Sequence, residues 1–269
     1  MKQRTLAAPV ILEDIGTHTG APCSIILSPA AENTGLAFHG QPITPLNTTG
    51  NAGFTEIFGR LKTTEHILAS LMGLGVDNAD ITSDNPECPI FDGSAAPIVA
   101  AIKKVGLTEQ NTPRRFLKIM RPVEYSDQDA TVSLSPSNEL TFDIEINYPP
   151  PIGNSRIFLS IADFEAGIAP ARTFARQSDV DALQKAGYAL GATIERGIGI
   201  DDSGCILNPE GLRFTDEFVR HKVLDAVGDM ATVGIPLLGA YKSLRGGHRQ
   251  NNALLRKLFS DMANYAIIS

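Results

Sequence analysis

The sequence predicts an α+β protein made of two similar layered units, each a β-sheet packed on helices. Three observations carry this. The chain has 269 residues, which suits two ordinary domains or one large one. Both halves set strand-like alternating runs beside stripes of helical period. Between the halves, Glu109 to Arg115 is polar and broken by Pro113, so the division is placed there: residues 1–110 and 111–269. Hydrophobic residues make up 43% and charged residues 20%. This ordinary globular usage excludes collagen, coiled coil and wholesale disorder.

The elements follow in chain order. Met1 to Leu12 reads as a first strand. Its basic head and apolar run imitate an export signal, but the run contains Pro9 and stops at Glu13-Asp14 with no small-residue cleavage site. Cys23 to Leu27 and Gly35 to His39 are strands separated by turn residues. A helix is expected from Thr63 or Thr64, either a good N-cap, with Ile67, Leu68, Leu71 and Leu74 on one stripe and Gly75 as its end. A strand at Ala79 to Thr82 and a helix at Ala96 to Val105 complete the first half. In the second half, Phe116 to Ile119, Ala130 to Leu134 and Leu140 to Ile146 alternate apolar and polar residues, as half-buried strands do. Helical patterns appear at Ser160 to Ala166, Asp179 to Ala186, Glu217 to Ala231 and Asn251 to Ala263. A strand at Gly197 to Ile200 precedes a turn at Asp201 to Gly204.

Charge and cysteine usage narrow the function. The formal net charge is −7, a field that repels nucleic acid and anionic membrane. An RNA-binding pair of βα domains is accordingly disfavoured. Cys23, Cys88 and Cys205 lie too far apart in sequence for a disulfide framework or a metal knuckle, and ordinary thiols in a reducing cytosol are expected. No apolar stretch approaches the ~20 residues of a membrane-spanning helix, so a soluble, cytoplasmic protein is expected.

Histidine is scarce, with five in the chain: His18, His39, His66, His221 and His248. His221 and Asp225 are four apart in a helical pattern, so an imidazole and a carboxylate converge on one face, and Asp229 extends the row. Alone, such a pair is also what a solvated helix face offers. Glu65 and His66 fall in the first turn of their helix, where the positive dipole end favours a carboxylate. Here His66 could bind a metal while Glu65 reaches a metal-bound water, or Glu65 could simply serve the helix start. Arg245-Gly246-Gly247-His248-Arg249 places a histidine and basic groups after two glycines, suited to a close anionic ligand or to a helix-initiating turn. No P-loop, HExxH or GxGxxG motif occurs. Two histidines and a carboxylate, with water in the fourth position, form a catalytic zinc arrangement. Such a metal activates its water and polarises a carbonyl.

These residues resemble the UDP-3-O-acyl-N-acetylglucosamine deacetylase family over nearly the whole chain. The resemblance runs through Gln3-Arg4-Thr5, Gly16-Thr17-His18-Thr19-Gly20, Thr64-Glu65-His66, Val76-Asp77-Asn78, Pro89 to Pro97 and Ala171-Arg172-Thr173-Phe174. It continues from Leu207 to Phe214 and from Asp216 to Lys222, then through Asp225, Asp229, Gly247-His248 and Asn251-Asn252. It implies a zinc amidase (ferrous iron also suits the ligand set) that releases acetate from a UDP-acyl-sugar, the committing step of lipid A synthesis. It implies His66, His221 and Asp225 as metal ligands and Glu65 as general base on the metal-bound water. His248 would be a charged partner and general acid, oriented by Asp229. Thr173 would bond the oxyanion, Lys222 would lie beside sugar or phosphate, and Phe174 and Arg245 would contact substrate. His18 sits in a matching Gly-flanked motif and is assigned to substrate binding.

The family fold is two layered βα domains with the site between them, each with an insert. The second insert, here about 177–206, would form the acyl passage, with Leu183, Tyr188, Leu190 and Ile198 setting the accepted chain length. A cytoplasmic monomer of a Gram-negative type bacterium, transiently near the inner membrane, is the implied setting. Departures are a short first insert at Asn47 to Arg60, Thr17 where leucine is usual, and Ile146 before Asn147-Tyr148 where an aromatic residue stacking near uracil is expected. Because of the short insert and the missing aromatic, a paralogous deacylase of another acylated amino sugar is the alternative enzyme. A non-catalytic acyl-sugar-binding homologue is the alternative outside catalysis.

Overall fold

The computed structural model describes all residues from Met1 to Ser269 except Ala52 and Pro151. Its architecture is α+β, as the alternation of periods predicts. The chain opens with β1 (Lys2–Leu6) and β2 (Val10–Ile15), so the single strand expected from Met1 to Leu12 is two. Ala7 to Pro9 breaks it, since proline cannot supply a ladder N–H. Then come β3 (Pro22–Pro29), β4 (Leu36–Phe38), β5 (Gln41–Pro42), β6 (Thr48–Gly50), β7 (Thr55–Ile57), α1 (Glu65–Gly73), β8 (Ala79–Thr82) and α2 (Ala96–Val105). A sheet in the order β2-β3-β8-β4-β5 forms one layer, antiparallel except where β4 runs beside β8.

The polar stretch at which the two halves were divided falls largely in β9 (Leu107–Pro113), antiparallel to β1. Its side chains are mostly exposed, which explains its polar composition. Asn78 ties this ribbon down: its Nδ2 donates to Gln3 Oε1 at 2.8 Å and Gln110 Oε1 at 2.7 Å, while its Oδ1 accepts from Gly35 N at 2.8 Å. Asp77 similarly accepts from Arg4 N at 2.8 Å and Arg114 Nε at 2.7 Å. The Gln3-Arg4-Thr5 and Val76-Asp77-Asn78 motifs are therefore bracing, not chemistry.

The second layer comprises β10 (Phe116–Ile119), β11 (Val123–Asp127), β12 (Ala130–Ser135), β13 (Leu140–Asn147), β14 (Asn154–Ser160), β15 (Phe174–Arg176), α3 (Gln177–Lys185), β16 (Ile198–Ile200), α4 (Glu217–Ala231), β17 (Leu237–Leu244), α5 (His248–Phe259) and β18 (Tyr265–Ile268). β17 is central, pairing with β10, β12 and β13. The helical pattern at Ser160 to Ala166 resolves into a 3₁₀ turn, Ile161–Asp163, and a π-helical turn, Phe164–Ile168.

Two clusters of buried apolar side chains result, one among residues 6–102 with Ala231, the other mainly among residues 117–258. The two helices that matter most meet between them. α1 buries Ile67, Leu68 and Leu71, each adding roughly 1.5–3 kcal/mol. α4 buries every residue from Val223 to Ala231. A Cβ on Gly228 would fall 2.1 Å from the Glu65 carbonyl oxygen, so α1 and α4 touch backbone to backbone at that point.

Candidate metal centre

That close crossing brings His66, in the first turn of α1, beside His221 and Asp225 on α4. One ligand atom from each of the three lies within 4.8 Å of the others, and all three residues are buried. His66 Nε2 is 3.8 Å and His221 Nε2 3.3 Å from Asp225 Oδ1. The i,i+4 spacing of His221 and Asp225 thus makes a site, not a solvated face.

The donor chemistry fits a divalent cation. His221 Nδ1 lies 3.1 Å from the Ala171 carbonyl, which can only accept. The ring hydrogen therefore sits on Nδ1 and the Nε2 lone pair points toward Asp225. Burial pushes the His221 pKa down to about 4, against the opposing pull of Asp225, so the imidazole is neutral at physiological pH. Burial also disfavours charge on Asp225, but the Lys222 ammonium outweighs it and holds its carboxyl well below the usual range. Lys222 Nζ donates to Asp225 Oδ2 at 2.8 Å and lies 5.6 Å from the centre of the Phe174 ring. Two imidazoles and one carboxylate are a donor set for zinc or iron.

Around this group the remaining polar residues are ordered. Burial raises the pKa of Glu65, countered in part by His248 and His66. Its Oε2 accepts from the Thr55 backbone N–H at 2.9 Å. Thr64 precedes α1 but does not cap it with its side chain. Its hydroxyl donates to the Thr55 carbonyl at 3.1 Å instead. His248 opens α5, its Nδ1 2.9 Å from Asp229 Oδ2 and its Nε2 4.0 Å from Asp225 Oδ2. Burial opposes charge on His248, but Asp229 outweighs it and lifts the pKa to about 10. Asp229, the third member of the α4 row, thus faces His248 as the row suggests.

Glu65, His66, Thr173, Phe174, His221, Lys222, Asp225, His248 and His18 all line one cleft of roughly 1030 Å³, open solvent at its mouth included. The Thr173 backbone bridges the Gly93 carbonyl and the Ile198 N–H. Phe174 packs edge-on to Phe218 at 4.8 Å and to His221 at 6.3 Å. Among the described residues, the buried Nδ1 of His18 finds no partner, and its ring lies beside Phe54 at 5.0 Å. Arg245 is not among the cleft's lining; its guanidinium lies 3.5 Å from the exposed Asp129. Ile146 is core, and Tyr148, two residues on, lines an adjoining hollow with Phe174 and Lys222.

Sequence reasoning missed Thr55 and Glu87. The Glu87 carboxylate accepts from His18 N at 2.7 Å, Thr19 N at 2.9 Å and Thr63 Oγ1 at 3.2 Å, fixing the loop that carries His18. Its position two residues before the Pro89 to Pro97 block was the available signal. For Thr55 there was none, since its partner Asp229 lies 174 residues away.

The profile of the UDP-3-O-acyl N-acetylglycosamine deacetylase family matches residues 3–260. The chain belongs to that family. It is similar to proteins named UDP-3-O-acyl-N-acetylglucosamine deacetylase from three organisms. That of Anaeromyxobacter sp. is 39% identical over 282 aligned residues, covering 99% of this chain and 91% of that protein. That of Wolinella succinogenes is 38% identical, covering 100% and 94%. That of Acidithiobacillus ferrooxidans is 39% identical, covering 96% and 90%. Membership makes the chain a hydrolase of the deacetylase type, and one cleft brings Glu65, His248 and the buried His66–His221–Asp225 group together. Among the described residues, no helix is long and apolar enough to cross a membrane.

Proposed function

We propose that this chain hydrolyses the N-acetyl amide of a UDP-3-O-acyl-N-acetylglucosamine, releasing acetate, with zinc as the resident metal and ferrous iron as a competent substitute. One observation carries the reading: the buried His66–His221–Asp225 group is flanked in a single cleft by a buried carboxylate and a charged imidazole.

When bound by those three residues, the cation supplies Lewis acidity toward water and the amide carbonyl. Glu65 takes the proton of the attacking water, a role its burial suits because the raised pKa brings it nearer neutrality. Thr173 offers its hydroxyl to the oxyanion. His248, held protonated by Asp229, gives its Nε2 proton to the departing amine; its Nδ1 is occupied by Asp229, so the proton leaves from the other nitrogen. Lys222 and Phe174 bound the sugar side of the cleft, and His18 closes the acyl side. Arg245, paired with Asp129 outside the cleft's lining, is assigned a contact with the diphosphate.

The segment 177–206 contributes Val180, Leu183, Ala189 and Ile198 to the cleft wall, which supports an acyl passage there. The two apolar clusters are read as two domains, 1–110 and 111–269, joined across α1 and α4. The same reading carries a cytoplasmic location and a single-chain enzyme.

The test is acetate release by the purified protein from the UDP-linked substrate and from the same acyl sugar lacking UDP. Release from the UDP-linked compound with a kcat/KM at least tenfold higher is expected. No release from either would refute the assignment, and equal rates would move it to an unlinked acyl amino sugar.

A further inference from the structure

Thr55 joins the two groups assigned to proton transfer. It is buried at the start of β7, and each of its polar atoms is committed. Its backbone N–H donates to Glu65 Oε2 at 2.9 Å. Its carbonyl accepts from Thr64 N at 3.2 Å and Thr64 Oγ1 at 3.1 Å, immediately before Glu65. Its hydroxyl donates to Asp229 Oδ1 at 2.5 Å and lies 3.2 Å from His248 Nδ1.

The hydrogens around Asp229 can be assigned. The Tyr241 hydroxyl donates to Asn251 Oδ1 at 2.5 Å, which turns the Asn251 amide so that Nδ2 donates to Asp229 Oδ2 at 2.7 Å. Thr55 has one hydroxyl hydrogen, and Asp229 receives it, so toward His248 the Thr55 oxygen presents lone pairs only. His248 Nδ1 must therefore carry a hydrogen, held between a carboxylate and a hydroxyl oxygen.

The hairpin that carries Thr55 is seated on the same helix. Gly50 lies directly across the β6–β7 ladder from Thr55, and a Cβ there would come within 1.9 Å of the His248 carbonyl oxygen. Asn252 Nδ2 and Arg256 Nη2 both donate to the Thr48 carbonyl, at 3.1 and 3.0 Å. The short segment between Asn47 and Arg60 thus grips the first turns of α5 by its backbone while Thr55 reaches inward.

We propose that Thr55 is a positioning residue for hydrolysis, fixing the His248 imidazole through Asp229 and holding Glu65 in register with it. The proposal rests on the assignment of Glu65 and His248 as base and acid. Replacing the hydroxyl by a methyl leaves the N–H bond to Glu65 intact and withdraws one donor from Asp229 and one acceptor from His248. The acid then loses its alignment, while substrate contacts are untouched.

The experiment compares Thr55→Val and Thr55→Ser with wild type by steady-state kinetics, metal content, melting, and the ¹⁵N-edited NMR signal of the His248 Nδ1 proton. Thr55→Val should lower kcat about 10–100-fold with KM within about twofold, as loss of an orienting partner does. Thr55→Ser should recover most of the rate. Metal content should be the same in all three, and the Nδ1 proton should be sharp in wild type and Thr55→Ser but exchange-broadened in Thr55→Val. If Thr55→Val melts early, Thr55→Ala removes the hydroxyl without added bulk and carries the same comparison. A kcat in Thr55→Val or Thr55→Ala close to wild type overturns the proposal, as does a Thr55→Ser variant as impaired as Thr55→Val. Wild-type protein inactive on the acetylated substrate removes the functional assignment instead. The imidazole proton signal then still decides whether Thr55 orients His248.

Discussion

Helices α4 and α3 both face the cleft, yet they differ completely in how they are held. α4 is buried along all of Val223 to Ala231, and α1 presses on it at Gly228. α3 buries none of its residues, although Val180 and Leu183 reach the cleft. His221, Asp225 and Asp229 stand on the element that cannot move without disturbing both cores, and His66 stands on the helix pressed against it. The wall assigned to the acyl chain stands on one that few contacts restrain. Chemistry that tolerates little displacement is placed on rigid structure, and selectivity for a flexible chain on adaptable structure.

Substitutions along α4 and its partners should therefore cost far more than substitutions along α3. The largest effect is expected in Glu65→Gln, which should lower kcat about 10³–10⁴-fold while the protein retains its metal by elemental analysis. A near-normal rate would remove Glu65 as base. His248→Ala should follow at several hundredfold, about 10²–10³, with an unchanged melting profile. If its loss of rate came with loss of fold, the acid assignment would have no support.

Stability should divide in the same way. The Glu217 carboxylate, fully buried at the start of α4, accepts from Arg172 Nε at 2.9 Å and Arg172 N at 3.0 Å. Burial opposes its charge, but these bonds outweigh that and lower its pKa from 4.5. A carboxyl depressed on folding contributes stability that is present above about pH 4.5 and lost as pH falls through the folded value. Glu217→Gln should therefore destabilise the protein by about 3 kcal/mol at pH 7 and flatten the acid limb of the stability curve, measured by denaturant titration between pH 3 and 7. An unchanged acid limb would show that other carboxylates govern it. Gly228→Ala, forced against the Glu65 carbonyl, should cost about 1–3 kcal/mol. The smallest effect belongs to α3: Leu183→Ala should change stability by under about 0.5 kcal/mol while altering KM in a manner that depends on acyl length. A change independent of acyl length would separate α3 from the passage.

The difference between the two helices also governs what was legible in the sequence. The α4 pattern, with His221, Asp225 and Asp229 at helical spacing among apolar residues, showed both the element and the face carrying its polar row. Ala79 to Thr82 and Ala96 to Val105 were equally clear because turn residues bound them. The β9 strand was not legible and its polar stretch marked only a division, because it is an exposed edge of polar residues whose partner, β1, lies about a hundred positions earlier. The strand β18 lies beyond the helical pattern that ends at Ala263 and had no element assigned, since four residues cannot display a period and its pairing with β10 is made only in space. In the site, His66, His221 and Asp225 were legible as motifs, but the resemblance, not their spacing, brought His66 to His221. Thr55 was not legible at all, because a threonine in a short hairpin has no local mark of the carboxylate it will meet.

The central claim is that the residues converging at the α1–α4 crossing hold the metal that the hydrolysis requires. Its most direct test is acetate release before metal stripping, after it, and after re-addition of one equivalent of zinc, in wild type and in His221→Ala. Wild type should lose activity on stripping and regain it at one zinc per chain, and His221→Ala should regain none. Full activity in stripped wild-type protein, or full recovery in His221→Ala, would contradict it.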